Sequence, residues 1–183
     1  MFRGAGNSNP SYFTVFQNKL YFSAVGKLYC YDGTNAPAAV QRNTGGDTEV
    51  SSYTNFKVFN NKLYFGGGTS GLYDLWVYDG TNPSSLVTDI NTTGNADPRY
   101  FEVYNNKLYF SAVTRAAGGE LWVYDGVNPA TQVADIYPGI LGSDPVYMRL
   151  YSTANCTSLQ KRQPVELNYM CMTGLVLLQW YMI

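Results

Sequence analysis

A unit of forty-odd residues is written three times in tandem along this chain, and that repetition limits the fold more than any other feature. Residues 12–33 read YFTVFQNKLYFSAVGKLYCYDG, residues 55–80 read NFKVFNNKLYFGGGTSGLYDLWVYDG, and residues 100–126 read YFEVYNNKLYFSAVTRAAGGELWVYDG. The KLYF core starts at Lys19, Lys62 and Lys107, and the YDG triplet at Tyr31, Tyr78 and Tyr124, so the period is 43 to 47 residues. A four-stranded propeller blade has a repeat of about 40–50 residues. Copies of this size fold by stacking, because one alone buries too little apolar surface to stand by itself.

Each unit resolves into four short strands. The first, as in Phe56-Lys57-Val58-Phe59, alternates apolar and polar residues with period two. Lys57 is matched by Thr14, Glu102 and Arg149, so one face there is expected to meet solvent. A hairpin turn follows at Gln17-Asn18, Asn60-Asn61 and Asn105-Asn106, since Asn tolerates the positive φ that such turns require. The second strand, Leu-Tyr-Phe, is apolar throughout, and so is the third at residues 75–78 and 121–124. Strands without a polar face belong to sheets covered on both sides. Asp32-Gly33, Asp79-Gly80 and Asp125-Gly126 then turn the chain, Asp bonding its own backbone and Gly supplying conformational freedom. A fourth strand runs through Leu86-Val87 and near Gln132-Val133.

The predicted core is Phe56, Val58, Leu63, Phe65, Leu75, Trp76 and Val77 in the second repeat, with Leu108, Phe110, Leu121, Trp122 and Val123 in the third. Cys30 sits where the other repeats carry Val77 and Val123, and reads as a small buried apolar residue. The link between the second and third strands varies: short at Val25-Gly26, longer from Gly66 to Tyr73 and from Val113 to Gly119. Gly66-Gly67-Gly68 reads as a flexible hairpin loop, because no helix and no Lys-Ser/Thr follows as a phosphate loop demands. Variation at one place in a repeat marks the loops of one face, where binding would sit.

Composition points the same way. The chain has 17 Tyr and 18 Gly but only 14% charged residues, and no amphipathic helical run appears before its last ten residues. The expected fold is all-β, a partial β-propeller of tandem four-stranded antiparallel blades. Residues 1–10 read as the tail of a preceding repeat, with repeats at 11–53, 54–97 and 98–144 and the start of a fourth at 145–151.

The runs ELWVYDG at 120–126 and DLWVYDGT at 74–81 resemble the ELWxxDGT repeat family, tandem repeats of large bacterial proteins thought to form propellers. The phrase D-I-x-P-G-x-x-G-S-x-P at 135–145 is similar to that family's inter-repeat segment. The resemblance covers residues 1–151. Repeat 1 departs from the pattern, with Lys27-Leu28-Tyr29-Cys30 in place of Glu-Leu-Trp-Val. It implies architecture and little chemistry.

Several functions are disfavoured by the residues themselves. Net charge is −1 with Lys and Arg scattered singly, so no basic stripe exists to neutralise phosphates and no nucleic acid partner is expected. Histidine is absent, which removes the usual general base and the commonest metal ligand. Cys30, Cys156 and Cys171 are an odd count without CxxC spacing, indicating neither a zinc site nor a disulfide framework. Asp89, Asn91 and Asp97 carry oxygens of a kind that suits calcium, but the pattern is not kept in the other repeats, and a polar inter-blade turn is the favoured reading. No cofactor is expected. Trp76 and Trp122 sit inside apolar strands, which favours packing over sugar stacking.

The favoured functional reading is a non-catalytic scaffold, an interaction or adhesion module of a larger secreted or surface protein, with a protein or glycan ligand. The alternatives are part of a propeller-type glycan-active enzyme, for which Glu49 and Arg115 are the charges unique to their repeats, or the product of a broken gene. An array open at both ends leaves apolar faces uncovered, and poor solubility is expected of it. The opening Met-Phe-Arg-Gly-Ala-Gly shows no signal peptide.

After Tyr151 the repeat vanishes and residues 152–183 read as out of frame. Joining the third base of each codon to the first two of the next fixes six amino acids whatever synonymous codons were used. Asn155/Cys156 gives Leu, Asn168/Tyr169 Leu, Met170/Cys171 Val, Met172/Thr173 Asp, Trp180/Tyr181 Val and Met182/Ile183 Asp. At a constant offset of 47 they match Leu108, Leu121, Val123, Asp125, Val133 and Asp135. Cys156 and Cys171 are then not selected thiols. Leu175 to Ile183 is not an evolved membrane anchor, and it is shorter than the ~20 apolar residues a span needs. Resequencing the coding DNA is expected to show a net one-base shift near codons 151–154, with KLYF and an acidic Leu-Tyr-Val-Tyr-Asp-Gly run in the alternate frame. An alternate frame lacking those codons ends the idea.

Overall fold

The computed structural model describes residues 7–150, 167–172 and 175–180, and among these the protein is all-β, with no helix. The chain divides into two compact units, Met1–Arg99 and Tyr100–Ile183. In the first unit, repeat 1 supplies β1 (Ser11–Phe16), β2 (Lys19–Ala24), β3 (Lys27–Tyr31) and β4 (Ala38–Ala39). A two-residue strand, β5 (Glu49–Val50), leads into repeat 2, which supplies β6 (Lys57–Phe59), β7 (Lys62–Thr69), β8 (Leu72–Tyr78) and β9 (Ser85–Thr88). Neighbours are antiparallel, each repeat pairing its strands in sequence order.

The hairpins follow from the turn residues. Gln17 and Asn18 take φ of 46° and 59°, Asn60 and Asn61 47° and 53°, Asn105 and Asn106 45° and 55°. Two successive left-handed residues make the turn whose twist matches that of the flanking strands. Register is thereby set alike in each copy: Leu20 faces Tyr31, Leu63 faces Tyr78 and Leu108 faces Tyr124.

The second unit carries β10 (Arg99–Tyr104), β11 (Lys107–Thr114), β12 (Gly118–Tyr124) and β13 (Thr131–Ala134), hydrogen-bonded in that order as one antiparallel sheet. A three-stranded antiparallel sheet follows, β14 (Val146–Leu150), β15 (Leu167–Met172) and β16 (Leu175–Trp180), with β16 in the middle. Tyr151, Cys156 and most of the segment read as out of frame lie outside the described residues.

Repeats 1 and 2 bury one common core. Phe16, Tyr21, Leu28 and Val40 of repeat 1 pack in a single cluster with Val50 of β5 and with Phe56, Leu63, Phe65 and Trp76 of repeat 2. Each large apolar side chain so enclosed is worth about 1.5–3 kcal/mol. The Tyr21 and Tyr78 rings meet across the joint, centroids 5.8 Å apart. Polar stitches run alongside: Thr48 and Ser84 hydroxyls share a buried hydrogen bond of 2.6 Å, and the Ser84 backbone donates to Gln41 and accepts from Asn43. At a net ~1 kcal/mol each these orient the joint, while the apolar burial holds it together.

Two sequence expectations need correction. Gly66-Gly67-Gly68 is no loop. It is the buried middle of β7, and the β7–β8 ladder runs on past it to Thr69 and Leu72. The longer link in repeat 3 is likewise mostly strand, with β11 and β12 paired as far as Thr114 and Gly118. Side chains have no room there: a Cβ at Gly66 would meet the Pro98 carbonyl oxygen and one at Gly67 the Phe65 ring. Glu49 pairs with Lys27 on one side and Gly68 on the other, Val50 with Gly67, so β5 joins the two repeats into one nine-stranded sheet.

The second correction concerns the core. Val58 is 38% exposed, not buried. β6 begins only at Lys57, so period two does not reach back to Phe56, and the inward residue next to the turn is Phe59 at 3%. The pleat then sends Val58 outward, on an edge strand that pairs with β7 alone. Val77, Trp122, Val123 and Cys30 are half-buried, whereas Phe56, Leu63, Phe65, Leu75, Trp76, Leu108, Phe110 and Leu121 are buried.

A Cβ at Gly68 would overlap the Leu72 carbonyl oxygen, which is backbone and has no room to yield. Gly68→Ala is therefore expected to destabilise the protein by about 1–3 kcal/mol, read as a lower urea midpoint at unchanged slope. A variant as stable as the parent would restore the flexible-loop reading.

Candidate functional site

The sequence offers recurrent carboxylates as its main chemical groups, and the structure shows where each one is engaged. In the YDG turns the Asp32 Oδ1 accepts the Thr34 and Asn35 amides at 2.9 and 2.8 Å while Oδ2 accepts the Asn35 side chain at 2.8 Å. Asp79 does the same with Thr81 and Asn82, and Asp125 with Val127 and Asn128. Gly33, Gly80 and Gly126 follow at φ of 92°, 94° and 95°, a conformation closed to most side chains. The Asn side chain and the turn amides hold Asp32 and Asp125 down to about 2, and Asp79 is lowered for the same reasons. A carboxyl so depressed stabilises the fold above its unfolded value near 4 and loses that contribution as pH falls through about 2. These groups are anchors of turns and stay ionised at neutral pH.

The acid that opens the Leu-Trp-Val-Tyr strand has a different task. Glu120 on β12 is fully buried, and its two oxygens take the Ile136, Tyr137 and Ser143 amides and the Ser143 hydroxyl at 2.6 to 3.2 Å. It clamps the segment that leaves repeat 3. Asp74, its counterpart on β8, accepts the Ile90 amide at 2.9 Å and the Asn91 amide at 3.5 Å, burial raising its carboxyl against the pull of those donors. In repeat 1 the charges are reversed. Lys27 occupies the acid's position and reaches Asp47 in the outgoing segment at 2.6 Å, which raises the lysine and lowers the aspartate. That pair is about one-third exposed, so it contributes at most about 1 kcal/mol, less than a buried carboxylate with four donors.

Asp89, Asn91 and Asp97 do not form a ligand cage. The Asn91 side-chain oxygen takes the Thr93 hydroxyl and its amide reaches the Asn95 carbonyl, closing the turn on itself. Asp97 accepts the Ser51 hydroxyl on one oxygen, with Arg99 at 4.0 Å from the other. Glu49 is engaged too, by the Arg42 guanidinium at 3.5 Å and the Ser70 amide at 2.9 Å. Arg115 lies in the turn between β11 and β12.

An open groove of about 350 Å³ lies at the joint of repeats 1 and 2, lined by Cys30, Ala39, Gln41, Tyr78, Asn82 and Pro83 among others. Tyr21 is fully buried, paired with Cys30 across β2 and β3 and in ring contact with Tyr78, and no partner satisfies its hydroxyl by hydrogen-bond geometry. Burial raises the Tyr21 and Tyr78 hydroxyls, so both stay protonated at neutral pH. No carboxylate or cation lines this groove, so what it offers a ligand is shape, amide groups and apolar wall. The sequence reading missed the Glu120 and Asp74 clamps, although the acid and the Asp-Ile segment it holds were each visible as recurring phrases.

A scan against protein-family models, a search of curated proteins and a search of solved structures each found no match.

Glu120→Ala would strand four donors, of which the Ser143 amide and hydroxyl are buried. It is expected to cost about 3 kcal/mol or more in chemical unfolding, with Glu120→Gln recovering part of it. A neutral effect of the alanine variant would remove the clamp from the account.

Proposed function

We propose that the chain is a stretch of β-propeller, each repeat one blade, acting as a non-catalytic interaction module of a larger secreted or surface protein. The observation that carries this reading is the common core of repeats 1 and 2, in which one side of the first sheet packs with the strands of the next. Radial stacking of blades requires this contact at every joint. The resemblance of residues 74–81 and 120–126 to ELWxxDGT repeats supports the same architecture.

The carboxylates support a scaffold. Asp32, Asp79 and Asp125 bind their own turns, Asp74 and Glu120 clamp outgoing segments, and Glu49 is taken up by Arg42 and Ser70. A glycosidase's catalytic pair needs two carboxyl groups flanking the scissile bond, and these are engaged by turns, backbone amides and Arg42. Binding falls to the turns that differ between copies, Ser70-Gly71 and residues 115–117, and to the groove beside Cys30. A protein or a glycan is the ligand class that such a surface suits.

The test is an assay of the full chain on a panel of aryl glycosides and polysaccharides. No release above the buffer rate is expected. Turnover that disappears in Glu49→Gln or Arg115→Ala would replace the scaffold with a glycan-active enzyme.

A further inference from the structure

A pocket of about 300 Å³ opens at the end of repeat 1 where β2 turns into β3, apart from the groove beside Cys30. Three segments build it: the chain entering repeat 1, the Val25-Gly26 turn, and Ser52 of the link into repeat 2. The Val25 amide donates to the Ser8 carbonyl at 3.1 Å, which holds the entering segment against the turn. A bulge between Ser11 and Thr14 puts Tyr12 at a φ of 55°, and its hydroxyl donates to the Ser52 carbonyl at 3.1 Å. The volume stands at the lower end of the ~300–1,000 Å³ range of small-ligand sites.

In repeat 2 the chain fills the equivalent space itself. Ser23 aligns with Gly66, Ser11 with Thr54 and Tyr53 with Pro98. The Pro98 carbonyl oxygen lies where a Cβ on Gly66 would go, and the Thr54 hydroxyl oxygen accepts the Gly66 amide at 2.7 Å. In repeat 1 the proline's counterpart, Tyr53, is instead 64% exposed, and a serine hydroxyl stands in the glycine's place.

Six of the eight residues lining the pocket carry a hydroxyl or amide side chain, and none is charged. Ser23 lines it at 6% exposure, and no group among the described residues hydrogen-bonds its hydroxyl. A hydroxyl so enclosed normally has a partner, and the pocket is a side from which a ligand reaches it. Ser and Asn side chains both donate and accept, as sugar hydroxyls do. A charged ligand finds no counter-charge here, and an apolar one would leave the serines unpaired.

We propose that this pocket binds a neutral sugar ring. Ser11, Ser23, Ser52 and Asn9 hydrogen-bond its hydroxyls, and the exposed Tyr53 ring packs on its C–H face. The inference rests on the reading of the chain as a binding module, and gives that module a place and a ligand class. The Val25-Gly26 turn is the repeat 1 member of the links that vary between copies, which suits a binding face.

Saturation-transfer NMR of the full chain with glucose, galactose, mannose, N-acetylglucosamine and their disaccharides tests it. At least one of these is expected to titrate with a Kd of about 0.1–10 mM. Ser23→Ala weakens that binding about five- to tenfold, the loss of one buried hydrogen bond. Ser52→Trp, at an exposed position where folding is spared, fills the pocket and abolishes binding. Asn82→Trp, in the groove beside Cys30, leaves it unchanged. No transfer to any sugar of the set overturns the proposal and leaves the module with a protein ligand. Binding that survives Ser52→Trp overturns it too, as does binding lost in Asn82→Trp alone, which moves the sugar to the other groove. A disaccharide cleaved during the titration, with the Ser52→Trp loss still seen, sinks the non-catalytic reading and keeps the pocket.

Discussion

The middle strands of each repeat are apolar on both faces, and everything else in the fold accommodates that fact. In β7 six consecutive residues, Leu63 to Gly68, are buried. A lone four-stranded sheet covers one face at most, so a strand of this kind is stable only between two neighbours. Repeats 1 and 2 answer this by sharing a core, and β5 joins their strands into one sheet. The side chains enclosed there, at about 1.5–3 kcal/mol apiece, outweigh the few hydrogen bonds that cross the joint.

Polar chemistry serves the same end. Each repeat must leave its last strand and enter the next copy along a fixed path. That path carries backbone amides that need acceptors. Glu120 and Asp74 supply the acceptors from the third strand, just before its Leu-Trp-Val-Tyr run, and the Lys27–Asp47 pair replaces them with its charges exchanged. The turn aspartates fix the far end of the same strand. The acidic residue and the DG turn that bracket the Leu-Trp-Val-Tyr run are thus two anchors of one strand.

Much of this was legible in the sequence because it depends on local chemistry. The period, the Asn-rich hairpins and the Asp-Gly turns each rest on conformations that few residues tolerate, and the structure has them with positive φ where such residues stand. Burial of Leu63, Phe65, Leu108 and Phe110 followed from continuous apolar strands. What the sequence hid was non-local. Gly66 to Gly68 looked like a loop because glycine also serves close approach, here of the Pro98 carbonyl to Gly66 and the Leu72 carbonyl to Gly68, which nothing in the glycine run itself reveals. Val58 looked buried because alternation was read through Phe56, one residue before the strand begins. The Glu120 clamp joins residues 16 to 23 positions apart, beyond the reach of any pattern within one strand.

The central claim is that repeats 1 and 2 are energetically one body. A double-mutant cycle on Tyr21 and Tyr78, whose rings meet across the joint, reads this directly. Tyr21→Leu, Tyr78→Leu and the double variant are unfolded in urea at neutral pH. The account predicts a single transition for the first unit and a coupling of about 0.5–1.5 kcal/mol between the rings. Additive effects, with repeat 1 and repeat 2 melting in separate steps, would contradict it.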